Sequence, residues 1–340
     1  MRTPNLWDVP RSTCAAGPLR CDSRQVVDGG GARRVAVVVV TYDSAPLLPA
    51  LVASLDAGLA GLDWELVVAD NASSDDTVAR VRELLPGATV VETGGNLGYS
   101  AGINAGVAAA APHDAVLVLN PDVRLEPGCA ATLMDALDEP RVGVAVPRLA
   151  DAGGRLIWSL RREPTLTRAM GEAFLGATRA GRVPALGEVV TDPASYDAAV
   201  DTDWAEGSTQ LISARCWAEV GPWDPSWFLY SEETDYGLRV RDAGWRTRYV
   251  PEARAVHLEG PSGTAPGLRA LLLTNRVRLV SRHRGRVVGS AFWALTVARE
   301  GIRVALGKAG TTVALKALLS PRLMRAERGP AWVAAAVDAG

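Results

Sequence analysis

Val35-Ala-Val-Val-Val-Val-Thr41, running straight into Tyr42-Asp43-Ser44, is the stretch from which the rest of the chain can be read. A β-branched run without polar alternation marks a strand buried on both faces, the habit of a parallel sheet covered by helices. Outward from it, residues 46–59 read as a helix with Ser44 at its N-cap. Residues 64–69 read as a second strand and 75–85 as a helix closed by Pro86-Gly87. A strand over 88–92, a small-residue helix over 99–111 and a strand over 115–119 come next. A helix over 127–137 and a strand over 142–146 complete the series. This alternation predicts an α/β fold with a doubly wound, mostly parallel, Rossmann-like sheet.

In such sheets ligands sit beyond the carboxyl ends of the strands. That rule singles out Tyr42-Asp43, Asp70-Asn71 and Asn120-Pro121-Asp122, each directly after an apolar strand. Pro121 removes a ladder donor and ends strand pairing, leaving Asp122 free to enter a cleft. A lone carboxylate there suits a hard divalent cation that bridges two phosphates; capping the turn before Leu125 is an equal alternative. Thr93-Gly-Gly-Asn-Leu-Gly98 opens the helix at Tyr99, where free N–H groups and the dipole favour an anion. Gly98, Gly102 and Gly106 recur every four residues, which fits close helix packing, whereas packing does not explain Asn96 and Asn104. Neither a dinucleotide fingerprint nor a Walker lysine is present.

Two further positions carry chemistry. Tyr230-Ser-Glu-Glu-Thr-Asp235 concentrates acids behind an aromatic run, and adjacent Glu232 and Glu233 in apolar surroundings raise at least one pKa. A carboxylate so poised accepts a hydroxyl proton; acids in a helix first turn are the plainer reading. His257, one of three histidines, is structural by itself but a sensible second metal ligand beside Asp122. Gly207-Ser208 lacks the strand–elbow–helix setting of a serine hydrolase.

The net charge of -2 conceals an asymmetry: from Arg269 to Arg328 there are thirteen Lys or Arg and two acids, Glu300 and Glu327. Such a tail meets anionic lipid, nucleic acid or simply water. The four cysteines form no CxxC pair and no disulfide framework, which fits a reducing cytoplasm. Residues 1–33 read as a flexible extension without an apolar h-region. The best candidate span, residues 287–306, is interrupted by Arg299, Glu300 and Arg303, so no membrane-crossing helix is expected. Residues 151–200, with Gly153-Gly154, Pro164, Pro184 and Pro193, predict long loops, a lid or acceptor-shaping segment. The division expected is an extension over 1–33, a catalytic domain over 34–262 and a basic, helical region over 263–340.

Seven segments in order resemble the inverting family 2 glycosyltransferases of the GT-A fold, most like rhamnosyltransferase-like and galactofuranosyltransferase-like members. They are 37–44, 67–75, 95–106, 119–122, 203–207, 228–235 and 251–257. The resemblance implies that Thr41, Asp43, Asp70 and Asn71 surround the base and ribose, and that Asn96 and Asn104 lie near ribose and diphosphate. It matches Asp122 to the last acid of the metal-binding motif and His257 to the histidine that completes it, with Mg²⁺ or Mn²⁺ as cofactor. Trp204 and Gly207 would line the sugar and acceptor pocket. Glu233 falls where most members carry an aspartate base, one methylene shorter, with Glu232 and Asp235 as the fallback bases and as neighbours that contact substrate. The implied reaction is one in-line displacement that inverts the anomeric carbon. The implied partners are a nucleotide-diphosphate sugar, dTDP-rhamnose ahead of a UDP-sugar, and a glycan or lipid-linked acceptor of the cell envelope. An amphipathic basic stretch, Arg276 to Arg286 beside Phe292 and Trp293, suits peripheral contact with the inner face of the plasma membrane or packing on the catalytic domain. Nucleic acid is not expected. A nucleotidyltransferase would need a basic signature that 42–49 lacks; a non-catalytic or hydrolytic nucleotide-sugar-binding protein is the other alternative.

Overall fold

The protein is described here from a computed structural model, which covers residues 33–258 and 265–338. The extension expected over 1–33, Arg33 apart, and the boundary expected between 262 and 263 lie outside the described residues.

β1 (Arg34–Thr41) is the strand expected, and it sits between two parallel neighbours, β2 (Asp63–Asp70) and β4 (Ala115–Leu119). Its valines alternate between two cores: Val35, Val37 and Val39 join one, Val38 and Val40 the other. Burial on both faces is what removes polar alternation from the sequence, and each buried valine contributes about 1.5–3 kcal/mol. β3 (Thr89–Glu92) extends the parallel half beyond β2.

Helices α1 (Leu48–Gly58), α2 (Thr77–Leu84) and α3 (Tyr99–Ala109) connect these strands, and α4 (Cys129–Ala136) follows them in the chain. A Cβ on Gly102 would stand 2.6 Å from Val40 Cγ1, and one on Gly106 2.5 Å from Val38 Cγ1. The glycine spacing of α3 is therefore a packing device that lets the helix lie on β1. Ser44 makes no cap bond to the helix it was expected to start; its N–H donates to Thr77 Oγ1 at 2.8 Å.

Antiparallel strands enter in the second half. β10 (Thr209–Ser213) lies between β4 and β6 (Val142–Ala150), antiparallel to both. β11 (Arg246–His257) runs parallel to β6 and pairs antiparallel with β5 (Val123–Leu125) and β8 (Val200–Thr202). The sheet order is β3-β2-β1-β4-β10-β6-β11-β5, with β8 also on β11. β7 (Leu160–Arg161) and β9 (Trp204–Ala205) form a small second sheet. Residues 151–200 are less open than expected, since α5 (Leu166–Leu175) and α6 (Ala177–Ala180) form within them. After α7 (Ala214–Val220) and α8 (Glu232–Asp242) come the C-terminal helices. α9 (Pro266–Ala305) is bent at Gly285, φ 82°, and is followed by α10 (Thr311–Leu319), α11 (Pro321–Arg325) and α12 (Pro330–Asp338). A third core unites these helices and includes Phe228, from the turn before α8.

Candidate active site

Asp122 lies between β4 and β5, in the turn that Pro121 enforces. β11 ends opposite it: His257 is registered with Val123, and Leu258 N–H donates to the Asp122 carbonyl at 3.0 Å. Strand pairing thus brings together two side chains far apart in the chain. His257 Nε2 stands 3.4 Å from Asp122 Oδ1, and its Nδ1 stands 2.8 Å from Glu206 Oε1. Burial works to lower the His257 pKa, but hydrogen bonds and charge from Asp122 and Glu206 outweigh it and push it up to about 10. Glu206 responds in kind: burial raises its carboxyl, and His257 brings it below the usual range.

Asp122 and His257 are the residues that could hold a divalent cation, which would displace the proton that the two carboxylates keep on the ring. Two ligand atoms at right angles on an ion with ~2.1 Å bonds lie about 3.0 Å apart, close to the Asp122–His257 separation. One carboxylate and one imidazole leave the other positions for phosphate oxygens and water. A carboxylate on the remote imidazole nitrogen, as Glu206 provides, is the usual support for a ligating histidine. Among the described residues no three His, Cys, Asp or Glu side chains form a complete ligand cage.

Glu233 lies in the first turn of α8, with Glu232 and Asp235. The backbone before it is unusual: Phe228, Tyr230 and Ser231 all have positive φ, at 64°, 67° and 75°. Gly207 lies against Glu233, since a Cβ there would be 3.2 Å from Glu233 Cβ. Burial pushes the Glu233 carboxyl up to about 7; Arg161 pulls against this, while Glu206 adds to it. Glu232 is pushed well above the carboxylate range by burial and by the charge of Glu233.

The two halves meet at Tyr99. Its hydroxyl lies 2.6 Å from Asn120 Oδ1, beside the Asp122 turn, and 3.1 Å from the Gly207 carbonyl, beside Glu233. Burial and then the charges of Glu232, Asp122, Glu233 and Glu206 hold the phenol well above its ordinary pKa. Tyr99 therefore stays a neutral donor.

The other expected residues have the following partners in the structure. Asp70 accepts from Thr41 Oγ1 at 2.8 Å and from Ser73 N and Oγ at 2.9 and 2.5 Å, fixing the ends of β1 and β2. Asn71 donates to the Gly98 carbonyl at 3.0 Å, and Asn96 Oδ1 accepts from Gly98 N–H at 3.3 Å, so both shape the Gly-rich loop. Asp43 remains exposed, with Oδ1 accepting from Ser74 N–H at 2.7 Å. Asn104, expected near ribose and diphosphate, instead clamps the Trp223 backbone, donating to its carbonyl at 2.7 Å and accepting its N–H at 3.0 Å. Trp204, expected in the sugar pocket, is buried against Gly237 and donates to the Arg162 carbonyl at 3.1 Å. Asp235 is 1% exposed and gives one oxygen to His283 and the other to Arg239, each at 2.9 Å, so it is held in a structural ion pair. Glu206, Tyr99 and Arg161 were not singled out by sequence. The first two lay inside matching segments; Arg161 had no sequence signal.

A carboxylate–imidazole pair at the end of β11 and a carboxyl raised to about 7 in the first turn of α8 are thus linked through Tyr99. The chain belongs to the family 2 glycosyltransferases. The family model for glycosyl transferase family 2 matches residues 36–185, and that for glycosyl transferase family group 2 matches residues 115–301. The chain is 32% identical over 265 residues to N-acetylglucosaminyl-diphospho-decaprenol L-rhamnosyltransferase of Mycobacterium tuberculosis, covering 73% of this chain and 85% of that protein. Over 149 residues it is 26% identical to Rhamnosyltransferase WbbL of Escherichia coli, covering 43% of this chain and 53% of the other. Its fold is similar to that of a Pyrobaculum calidifontis mannosyltransferase solved with GDP-Man and Mn²⁺ (TM-score 0.52, 16% identity, 91% of this chain and 87% of the other). It is a glycosyltransferase enzyme, rhamnosyltransferase-like. Among the described residues no helix is long and apolar enough to cross a membrane.

Proposed function

We propose that the protein is a metal-dependent, inverting transferase that moves a rhamnose-like sugar from a nucleotide-diphosphate donor to the hydroxyl of a lipid-linked sugar. The observation that carries this reading is the joint between the two half-sites, Asp122–His257 and Glu233, through Tyr99. Asp122 and His257 would hold Mg²⁺ or Mn²⁺, which when bound supplies charge neutralisation for a departing nucleoside diphosphate. Tyr42, exposed beyond β1, and Asp43 offer the nucleoside a face at the strand ends. Glu233, tuned to about 7, takes the acceptor proton as its oxygen attacks the anomeric carbon. A single displacement with the base opposite the leaving group inverts that carbon. Neutral Tyr99 keeps the Asn120 turn and Gly207 at a fixed separation.

The relative from M. tuberculosis is named for a diphospho-decaprenol acceptor, which supports a polyprenyl-diphosphate-linked amino sugar as acceptor and dTDP-rhamnose as donor here. Peripheral contact with an anionic membrane would present that acceptor. Arg286 and Val287, both exposed just beyond the bend of α9, are the surface we assign to it.

The test is transfer from dTDP-rhamnose, with UDP-glucose and GDP-mannose as competitors, to a synthetic polyprenyl-diphospho-N-acetylglucosamine with and without Mn²⁺. The expected outcome is Mn²⁺-dependent transfer that Asp122→Ala and Glu233→Gln each abolish. Full transfer by both variants would overturn the site.

A further inference from the structure

The basic stretch of α9 pairs with acids and carbonyls of the catalytic domain. Arg276 pairs with Glu188, Arg282 with Asp224, and Arg284 with Glu163 at 2.5 Å. Arg278 donates to the Ser226 carbonyl at 3.0 Å and lies 5.0 Å from the Trp227 ring centre. Of these partners, Asp224, Ser226 and Trp227 belong to the piece of chain that leads into α8.

At its middle is Asn275, wholly buried. Its Nδ2 donates to three carbonyls of that piece, Trp227 and Leu229 at 3.0 Å and Tyr230 at 3.1 Å. Its Oδ1 accepts from Arg328 Nε at 2.9 Å. Arginine only donates, so Arg328 fixes which end of the amide faces the carbonyls. Around those carbonyls Phe228, Tyr230 and Ser231 all have positive φ, sparsely populated backbone that costs a non-glycine residue about 1–3 kcal/mol. Strained backbone of this kind persists only where its surroundings over-determine it. Ser231 is the last residue before α8, and its side chain makes no cap bond there. At the other end of the first turn, His283 Nε2 meets Asp235 Oδ1. Glu233 thus stands between two points of attachment to α9.

We propose that Asn275 is a positioning residue for Glu233: its amide sets the course of the turn from Phe228 to Ser231, and so where α8 begins. His283 completes the brace through Asp235. The inference rests on reading Glu233 as the base. The donor-side residues Asp122 and His257 stand on the β4–β5 turn and on β11, to which Asn275 makes no bond. Loss of the clamp should therefore lower kcat and leave nucleotide affinity alone.

The test uses full-length Asn275→Asp, Asn275→Ser and His283→Leu, with Glu233→Gln in parallel. Asn275→Asp is nearly isosteric and keeps an acceptor for Arg328, but turns an oxygen toward the three carbonyls. Four readouts are taken: kcat for the transfer above, binding of dTDP and UDP with Mn²⁺, melting temperature, and amide exchange over residues 228–235. A misplacement near 1 Å costs up to about 100-fold, so kcat should fall about 10- to 100-fold while nucleotide binding changes less than about 3-fold. Amide exchange over 228–235 should rise in the Asn275 variants. Unchanged exchange there, wild-type kcat in folded variants, nucleotide binding lost in step with kcat, or failure of all three variants to fold would each overturn the proposal. If Glu233→Gln retains activity while the Asn275 variants lose it, the base reading fails instead.

Discussion

Gly98→Ala is the substitution that tests most directly how the two half-sites are joined. Gly98 has φ +90°, and a Cβ built on it would stand 2.3 Å from the Phe228 carbonyl oxygen and 2.7 Å from Phe228 Cα. Comfortable heavy-atom contact begins near 3.5 Å, so the gap is short by about 1 Å and both obstacles are backbone. Neither side yields easily, because Tyr99 N–H also donates to that carbonyl at 2.7 Å. That backbone, with ψ at 175°, lies in a region essentially reserved for glycine and costs about 1–3 kcal/mol, and the overpacking about 1–3 kcal/mol, giving about 2–6 kcal/mol in all. At roughly 2 °C per kcal/mol for a chain of this size, the melting temperature should fall by about 4–12 °C. Relief requires the turn before α8 to withdraw from α3, carrying Glu233 with it, and a shift near 1 Å costs up to about 100-fold in kcat. Differential scanning fluorimetry and initial-rate kinetics read the two effects. A Gly98→Ala protein that melts with the wild type and turns over at the wild-type rate would refute the close approach. One that melts lower but keeps its kcat would refute the coupling of that approach to Glu233.

Because Glu233 is raised to about 7 and acts when deprotonated, kcat/KM should climb about tenfold per pH unit below pH 7 and level off above it; a flat profile from acid to neutral pH would remove Glu233 as base. A carboxyl raised by folding takes up protons relative to the unfolded chain, so its contribution to stability falls as pH rises from its unfolded value through 7. Glu233→Gln should accordingly melt higher than wild type at pH 8, and less so at pH 5. Asp235→Asn breaks a buried pair with His283 and Arg239, a loss of about 3–5 kcal/mol, and should lower the melting temperature and, by releasing the His283 brace, kcat as well; wild-type kcat in the folded variant would refute the brace, and lost activity at unchanged melting temperature would point to Asp235 itself as the base. Arg286→Glu with Val287→Glu should weaken sedimentation with vesicles containing phosphatidylglycerol and leave soluble nucleotide binding intact; unchanged sedimentation would place membrane contact elsewhere.

Much of this molecule is written locally. The valine run of β1, the Pro121 break and the glycine spacing of α3 each carry their reason in the sequence, because strand burial, ladder termination and helix–strand contact act on consecutive or periodic residues. Asp122 and Glu233 could be marked as chemistry-bearing for the same reason. The pairing of half-sites could not. That His257 meets Asp122, and Glu206 holds His257, follows from β11 pairing with β5 and from the return of residues 204–207 under the sheet rim. The fate of Asn104, Trp204 and Asp235 was equally hidden, since a polar side chain's partner is a matter of which backbone comes to rest beside it. The basic helix shows the limit most plainly. Its charge was visible in the sequence as a surface property; that Arg278 and Arg282 meet the loop before α8, while Arg276 and Arg284 meet Glu188 and Glu163, was decided by packing alone. Charge and periodicity belong to the chain, whereas the partner that neutralises a charge belongs to the fold.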